Sequence, residues 1–212
     1  MLVRNHMKKD PVTLKKDDTL RKAMSIFQKE GFRHVPVVDR GRVVGIVTDQ
    51  DLNRVTGGPA PTASIQELHY VLEKIKAEEF MTGDPYTVTP ETYVEDAAQL
   101  MYEKKIGALP VVENNFLVGI ITKNDILETF LEILGLTNPG KRVEVELEDR
   151  TGALSDATRI IKDLGVYLIS AVTMPQTVKG KRNTLFRVAP DQVDSVKEAL
   201  RKAGPPVLAV LD

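Results

Sequence analysis

Two copies of one sequence unit lie in this chain, and the repeat constrains the fold more than any other feature. The segment Gly45-Ile46-Val47-Thr48-Asp49-Gln50-Asp51 returns 74 residues later as Gly119-Ile120-Ile121-Thr122-Lys123-Asn124-Asp125. The same shift relates Asp10-Pro11 to Asp84-Pro85 and Pro36-Val37-Val38 to Pro110-Val111-Val112. A constant register over such a span indicates two copies of one supersecondary unit. Each copy ends with Thr and Asp after an apolar strand, which predicts a duplicated ligand site rather than one catalytic centre.

Composition limits the class of protein. A chain of 212 residues is long enough to bury a core, and its net charge of −1 argues against direct nucleic-acid binding. The absence of Cys excludes disulfides and thiolate sites, and the three His form no metal-spaced cluster, so we expect no metal. No apolar run approaches the roughly 20 residues of a membrane span. The first residues lack the apolar core of a signal peptide, so we expect a cytoplasmic protein without membrane contact.

Each copy has the pattern of a helix, a β-hairpin and a second helix. In the first copy, Asp17-Asp18-Thr19 offers N-caps for a helix that ends at Gly31. Strands over 34–38 and 43–47 follow, with a helix starting near Thr48. The second copy repeats this order, with strands over 109–112 and 117–121. Between the copies, Ser64-Ile65-Gln66-Glu67 fits a capping box and predicts a linker helix.

The last third of the chain has a different pattern. Val143, Val145 and Leu147 alternate with glutamates, which is typical of a strand with one wet face. A helical stripe from Leu154 to Leu164, two strands, a second helix and a final strand over 207–211 follow. The order β-α-β-β-α-β predicts a ferredoxin-like unit.

The Thr-x-x-Asp pair has two interpretations. As structure, it is a capping box at a helix start and requires no ligand. As function, the same helix start presents free N–H groups and a partial positive charge to a phosphate. The Thr hydroxyl can donate to a phosphate oxygen, and the carboxylate can accept both hydroxyls of a ribose. One isolated copy favours the cap, whereas two copies, each after a Pro-Val-Val hairpin, favour a pair of ligand sites.

These residues resemble the CBS-domain family over residues 1 to about 134. The matching segments are Asp10–Leu14, the Leu20/Ala23 helix, 31–38 and 45–51, with their partners 74 residues on. The resemblance implies a paired CBS module that binds adenosine-containing ligands such as AMP, ADP, ATP or S-adenosylmethionine. By position it implies that Asp51 and Asp125 contact the ribose and that Thr48 and Thr122 contact the phosphate. His34 and Ala108 would contact the base.

The two copies differ beside the motif. Asp49 follows Thr48, so a phosphate there would face two carboxylates, an effect that nearby side chains could offset (Arg33, His34, Arg54). Lys123 takes the equivalent position in the second copy and favours a phosphate. The sequence therefore predicts that the Thr122/Asp125 motif is the better phosphate site. The first motif is then either empty or occupied by a less anionic ligand.

A second candidate site is the loop Asp149-Arg150-Thr151-Gly152-Ala153-Leu154. Alone it predicts a tight turn with glycine at positive φ. With the predicted fold it resembles the start of an ACT domain over about residues 141–212, although Thr151 replaces the family's usual proline. The resemblance implies that the loop N–H groups bind an amino acid across a subunit interface, with contacts from Asp149, Arg150, Gly152, Ala153 and Leu154. Because Thr151 departs from the family pattern and some family members bind no ligand, a loop that binds no amino acid is an equal alternative.

With Leu-Val-Arg-Asn-His-Met over 2–7 and Glu-Leu-His-Tyr over 67–70, the whole chain is similar to acetoin-utilisation regulatory proteins of the AcuB type. We expect a mixed α+β and α/β fold with CBS domains over 1–60 and 79–135, a linker helix over 61–78 and an ACT domain over 139–212. The resemblance implies a non-catalytic, homodimeric sensor of an adenine nucleotide, and of an amino acid at the ACT domain, with a link to acetoin utilisation. No nucleophile and base occur at a recognisable spacing. The alternative is a dimerisation scaffold that regulates a partner enzyme or transcription factor without binding nucleotide.

Overall fold

A computed structural model of the protein describes residues 1–57, 72–175, 179–204 and 207–211. The chain divides into two compact units, Met1–Leu127 and Glu128–Asp212. The capping box predicted at Ser64–Glu67, and most of the linker helix predicted over 61–78, lie outside the described residues. Within that range, residues 72–74 are helical and Ile75 and Lys76 are not.

The first sequence copy forms the predicted helix and hairpin. Its elements are β1 (Lys8–Lys9), β2 (Leu14–Lys15), α1 (Leu20–Glu30), β3 (His34–Asp39), β4 (Arg42–Thr48) and α2 (Asp49–Thr56). Thr19 caps α1 by accepting the N–H of Lys22 at 3.3 Å. Arg40 and Gly41 both have positive φ, the two-residue turn that matches the twist of an antiparallel hairpin.

The second copy repeats the short strand, the helix, the hairpin and the helix that follows it, and begins with a short α-helix. Its elements are α3 (Ala77–Phe80), β5 (Thr82–Gly83), α4 (Val94–Lys104), β6 (Ala108–Glu113), β7 (Phe116–Thr122) and α5 (Lys123–Ile133). The β6–β7 hairpin has the register of β3–β4, with Ala108 opposite Thr122 as His34 is opposite Thr48. The boundary between the two compact units falls within α5, after Leu127.

The two copies exchange their first strands. β1 of the first copy pairs with β7 of the second, and β5 of the second copy pairs with β4 of the first. One sheet therefore has the order β2-β3-β4-β5 and the other β1-β7-β6, and each contains a strand from the other copy. Buried side chains follow the same exchange. Val3 packs in the core of the second copy, whereas Ala77 and Phe80 pack in the core of the first.

Gly45 and Gly119 make room for the exchanged strands. A Cβ atom on Gly45 would overlap the side chain of Met81 and lie 3.1 Å from a backbone carbonyl oxygen of β5. A Cβ atom on Gly119 would lie 2.6 Å from Sδ of Met7. The glycines that precede the two Thr-x-x-Asp motifs are thus explained by strand packing.

The second unit has the predicted ferredoxin-like topology. Its elements are β8 (Lys141–Glu148), α6 (Ala153–Asp163), β9 (Leu168–Thr173), β10 (Lys181–Val188), α7 (Val193–Ala203) and β11 (Val207–Leu211). The strands form one antiparallel sheet in the order β11-β8-β10-β9. Val143 and Val145 on β8 are fully buried together with Phe186, Ile161 and Leu200, so both helices cover one face of the sheet.

Candidate functional site

Two clefts in the first unit are related by the 74-residue repeat. Cleft 1 has a volume of about 710 Å³ and contains Thr48 and Asp51. Cleft 2 has a volume of about 490 Å³ and contains Thr122 and Asp125. Most positions that line one cleft have their repeat counterpart in the other. The duplicated motif therefore lies in a duplicated cavity.

Each cleft is completed by a segment from the opposite copy. Asp84-Pro85-Tyr86 lines cleft 1, and its counterpart Asp10-Pro11-Val12 lines cleft 2. These segments follow the exchanged strands β5 and β1 directly, so the strand exchange carries them across. Sequence reasoning assigned them no site role, although the repeated Asp-Pro pair was the signal that could have found them. Asp10 and Asp84 both have positive φ, at 47° and 45°.

A complete capping box lies at the start of α2. The Asp51 Oδ2 atom accepts the backbone N–H of Thr48 at 2.9 Å and the Thr48 hydroxyl at 2.7 Å. In return, Thr48 Oγ1 accepts the N–H of Asp51 at 3.2 Å. The other carboxylate oxygen, Oδ1, accepts the guanidinium of Arg54 at 3.0 Å. Asp51 is only 5% exposed. Both of its carboxylate oxygens accept hydrogen bonds from groups of the chain itself.

The same reciprocal bonds occur at the start of α5. Asp125 Oδ2 accepts the N–H of Thr122 at 2.7 Å and its hydroxyl at 2.6 Å, while Thr122 Oγ1 accepts the N–H of Asp125 at 3.3 Å. The position equivalent to Arg54 is Glu128 in this copy. The two aspartates therefore share their cap geometry but differ in the side chain that follows three residues later.

The two helix starts differ in the acceptor available to the N–H group of the second helical residue, which is Gln50 in α2 and Asn124 in α5. In cleft 1, Asp49 Oδ1 accepts the N–H of Gln50 at 3.0 Å, so the helix caps itself with a negative charge. In cleft 2, Lys123 takes the place of Asp49, and an ammonium group cannot accept the N–H of Asn124. The start of α5 is therefore better suited to an anion than the start of α2.

Charge also differs between the clefts. Cleft 1 is lined by four cationic and three anionic side chains, Arg33, Arg54, Lys105 and Lys123 against Asp49, Asp51 and Asp84. Cleft 2 is lined by four cationic and two anionic side chains, Lys8, Lys9, Arg33 and Lys123 against Asp10 and Asp125. Cleft 2 thus has the larger positive excess; Lys123 lines both clefts and contributes equally to each count.

The remaining predicted residues are not divided between the clefts as their sequence positions suggested. Ala108 lines cleft 1, with the Thr48/Asp51 motif of the other copy. Arg33, His34 and Lys123 line both clefts. Burial lowers the pKa of His34 below its ordinary value, an effect that Asp49 opposes and that Arg33 and Lys123 reinforce. The imidazole is therefore neutral near pH 7, beside two cations and one carboxylate.

The predicted ACT loop is largely bonded within the chain. Gly152 has φ of 86°, as expected for the tight turn. The N–H groups of Asp149, Arg150 and Ala153 donate to the carbonyl oxygens of Gly180, Glu148 and Arg150, at 2.9, 2.9 and 3.3 Å. The Arg150 guanidinium donates to the carboxylates of Glu148 and Asp156, at 2.8 and 2.9 Å. A ligand carboxylate at this loop would depend on the N–H groups of Thr151, Gly152 and Leu154.

The described ranges contain neither a metal cluster nor a membrane-spanning helix. Within residues 1–57, 72–175, 179–204 and 207–211, no three His, Cys, Asp or Glu side chains are arranged to hold a metal ion. Among the same residues, no helix has the length and apolar character to cross a membrane.

Comparison with protein families identifies both units. The CBS domain family matches residues 3–57 and 77–132, and the TTHA0829-like ACT domain family matches residues 139–211. The two CBS matches begin near Val3 and Ala77, the residues that pack into the opposite copy. The two CBS matches together cover more than half of the chain.

Solved structures show the same fold. A Vibrio cholerae protein assigned by its name to acetoin utilization (AcuB) is 31% identical, with a TM-score of 0.55, and the match covers 65% of this chain and 95% of that one. The CBS domain pair of MJ0100, in complex with 5-methylthioadenosine and S-adenosyl-L-methionine, is 29% identical with a TM-score of 0.52, covering 61% of this chain and 99% of that one. CBSX2 in complex with AMP is 27% identical with a TM-score of 0.53, covering 63% and 98%. The chain therefore belongs to the CBS-domain family and carries two CBS domains in tandem, followed by an ACT domain.

Proposed function

We propose that this protein is a non-catalytic regulatory sensor that binds adenosine-containing ligands in clefts 1 and 2. The observation that carries the proposal is the duplicated Thr/Asp motif at two related clefts, each completed by an Asp-Pro segment from the opposite copy. Relatives with the same fold were solved with AMP, S-adenosylmethionine or methylthioadenosine. The candidate ligands are AMP, ADP, ATP and S-adenosylmethionine.

The cleft chemistry supports a division of roles within each site. Asp51 and Asp125 would accept the ribose hydroxyls, and Thr48 and Thr122 would donate to the phosphate or its equivalent. In cleft 1 the ribose would displace Arg54 from Asp51, and a ribose hydroxyl would donate to the carboxylate oxygen that the guanidinium leaves. Residues at the starts of β3 and β6, His34 and Ala108, would lie against the base.

We propose further that cleft 2 is the stronger phosphate site. It has the larger positive excess, and Lys123 leaves the second N–H group of α5 without a side-chain cap from that position. Cleft 1 would take a ligand with a less anionic 5′ group. Binding of a phosphate-bearing nucleotide in cleft 1 alone would contradict this ranking.

A thermal-shift titration with AMP, ADP, ATP, S-adenosylmethionine and adenosine tests the sensor. A ligand present at about 100 times its Kd stabilises the folded state by about 2.7 kcal/mol, which raises the Tm of a chain this size by roughly 5–10 °C. We expect Asp125→Ala to remove most of the AMP shift and Asp51→Ala to remove less. Because both variants also lose a helix cap, the matched control is Thr19→Ala, which removes the cap of α1 outside both clefts.

The alternative function is a scaffold that regulates a partner enzyme or transcription factor without binding nucleotide. The bonds that already occupy both Asp51 oxygens favour it, because a capping box requires no ligand. Exposed apolar side chains at Phe130, Leu131 and Leu134 in the second unit support a homodimer. The absence of any nucleotide shift, together with a dimeric mass by light scattering, would establish the scaffold in place of the sensor.

Amino-acid binding at the ACT loop and a role in acetoin utilisation are separate proposals. The first rests on the positive φ of Gly152 and the N–H groups that remain at Thr151, Gly152 and Leu154. Its test is an amino-acid thermal-shift panel on wild type and Gly152→Val. The second rests on the likeness to the Vibrio protein, and its test is growth of a deletion strain on acetoin as carbon source.

A further inference from the structure

Clefts 1 and 2 share one wall. Four residues line both cavities, namely Arg33, His34, Gly107 and Lys123. This wall comes from the starts of the β3–β4 and β6–β7 hairpins and from the first residue of α5. A side chain on the wall can therefore reach a ligand on either side of it.

The wall is strongly asymmetric with respect to the repeat. Gly107 is the counterpart of Arg33, and a Cβ atom on Gly107 would lie 2.5 Å from Nε2 of His34. The His34 ring thus occupies the space that a side chain at 107 would fill. The second copy supplies the wall with a lysine, Lys123, at the position where the first copy has Asp49.

Arg33 and Lys123 are the cations that the clefts have in common. The other cationic side chains among the described lining residues face one cleft each, Arg54 and Lys105 in cleft 1 and Lys8 and Lys9 in cleft 2. A guanidinium or ammonium group that binds a phosphate in one cleft is not available to bind a phosphate in the other cleft. Two bound phosphates on either side of the wall would also repel each other.

We infer that the two clefts are negatively coupled for phosphate-bearing ligands, through competition for Arg33 and Lys123, and independent for neutral adenosyl ligands. The inference rests on the proposed function, because it assumes that adenosine-containing ligands occupy both clefts. Coupling of this kind is reciprocal, so a phosphate in cleft 1 weakens cleft 2 by the same factor. The pair would then respond to a wide range of nucleotide concentration instead of switching at one value.

The test is isothermal titration calorimetry of the full chain with AMP and with adenosine. In wild type, AMP fills cleft 2 and then binds cleft 1. In Asp125→Ala, cleft 2 is disabled and AMP binds cleft 1 alone. We expect the affinity of cleft 1 for AMP to be about tenfold weaker in wild type than in Asp125→Ala. Adenosine should give the same cleft 1 affinity in both proteins. If Asp125→Ala fails to fold by circular dichroism, Val12→Trp blocks cleft 2 sterically and replaces it.

Matched lysine variants locate the coupling. Lys123→Gln should weaken AMP binding in both clefts and reduce the tenfold factor, because it removes a shared cation. Lys8→Gln and Lys105→Gln should each weaken one cleft and leave the factor unchanged, because each lysine lines one cleft. An equal effect of all three variants on the factor would overturn the role of the shared wall.

The outcomes separate this inference from the proposed function. Equal AMP affinities of cleft 1 with cleft 2 filled and disabled would overturn the coupling and leave the sensor intact. Equal coupling with adenosine would also overturn it, since adenosine has no phosphate. Failure of AMP, ADP, ATP, S-adenosylmethionine and adenosine all to bind wild type would overturn the sensor, and the coupling with it.

Discussion

Replacing Asp49 by asparagine tests the claim that one side chain weakens cleft 1 for phosphate. The asparagine side chain would keep an oxygen that can accept the N–H of Gln50, so this change removes the charge and leaves the local cap. For a phosphate about 6 Å from the carboxylate, Coulomb's law gives about 0.7 kcal/mol per charge in bulk water and about 2.8 kcal/mol at an effective dielectric constant of about 20. Asp49 is exposed, so the lower end applies.

AMP carries between one and two negative charges at its phosphate near neutral pH, so Asp49→Asn should strengthen its binding in cleft 1 by about 0.7–1.4 kcal/mol. This corresponds to a roughly three- to tenfold lower Kd. Asp49→Lys copies the second repeat and should strengthen binding further, since it also frees the N–H of Gln50. The comparison between the two variants separates the charge from the N–H group.

The assay is calorimetry at low and physiological salt in an Asp125→Ala background, which reports cleft 1. The gain should shrink as salt rises, because the carboxylate is solvent-exposed. Adenosine is the matched ligand, and its affinity should stay constant in both Asp49 variants. An unchanged AMP affinity in Asp49→Asn, or an equal gain for adenosine, would refute the electrostatic reasoning.

Three further predictions concern stability. Gly45→Ala should lower the free energy of unfolding, measured in urea, by about 1–3 kcal/mol because the new Cβ atom overlaps Met81. In the control Gly83→Ala the new Cβ has no atom within 4 Å, and the loss should be less than about 1 kcal/mol. Equal losses in the two variants would contradict the packing argument. The folded-state pKa of His34 is lowered from 6.5, so the unfolded chain binds the proton more readily and stability should fall as pH drops through 6.5; urea titrations should show that His34→Gln flattens this slope. Arg150→Ala should change the Tm little, because its ion pairs are exposed and screened by solvent; a loss of stability as large as that of Gly45→Ala would disagree.

Most of the local structure follows from residue patterns. Thr19 caps a helix, two-residue turns close both hairpins, and the alternation from Val143 to Leu147 marks a strand with one buried face. In each case the determining contacts are close in sequence. The duplicated motif also identified the residues around which both clefts form, since a constant 74-residue shift preserves the geometry of each copy.

The composite nature of the clefts could not be predicted in the same way. β1 and β5 contain two residues each, which is too short for any periodic pattern, and nothing local distinguishes pairing within a copy from pairing across copies. The sharing of Lys123 and His34 by both clefts also results from contacts between the copies, which lie far apart in sequence. For this reason the assignment of one charged set to each motif does not match the lining of the clefts.

The strand exchange has a consequence for how the chain folds during synthesis. β1 cannot pair until β7 has been made, and its pairing partners Gly119 and Ile120 are synthesised long after Lys8 and Lys9. At a synthesis rate of about 5–20 residues per second, this delay is about 6–22 s. Val3, which is fully buried in the finished protein, has no core to enter during that time. The first residues of the CBS pair therefore stay exposed to chaperones and proteases until the β6–β7 hairpin emerges. A ribosome that stalls before β7 leaves a nascent chain in which β1 has no partner strand.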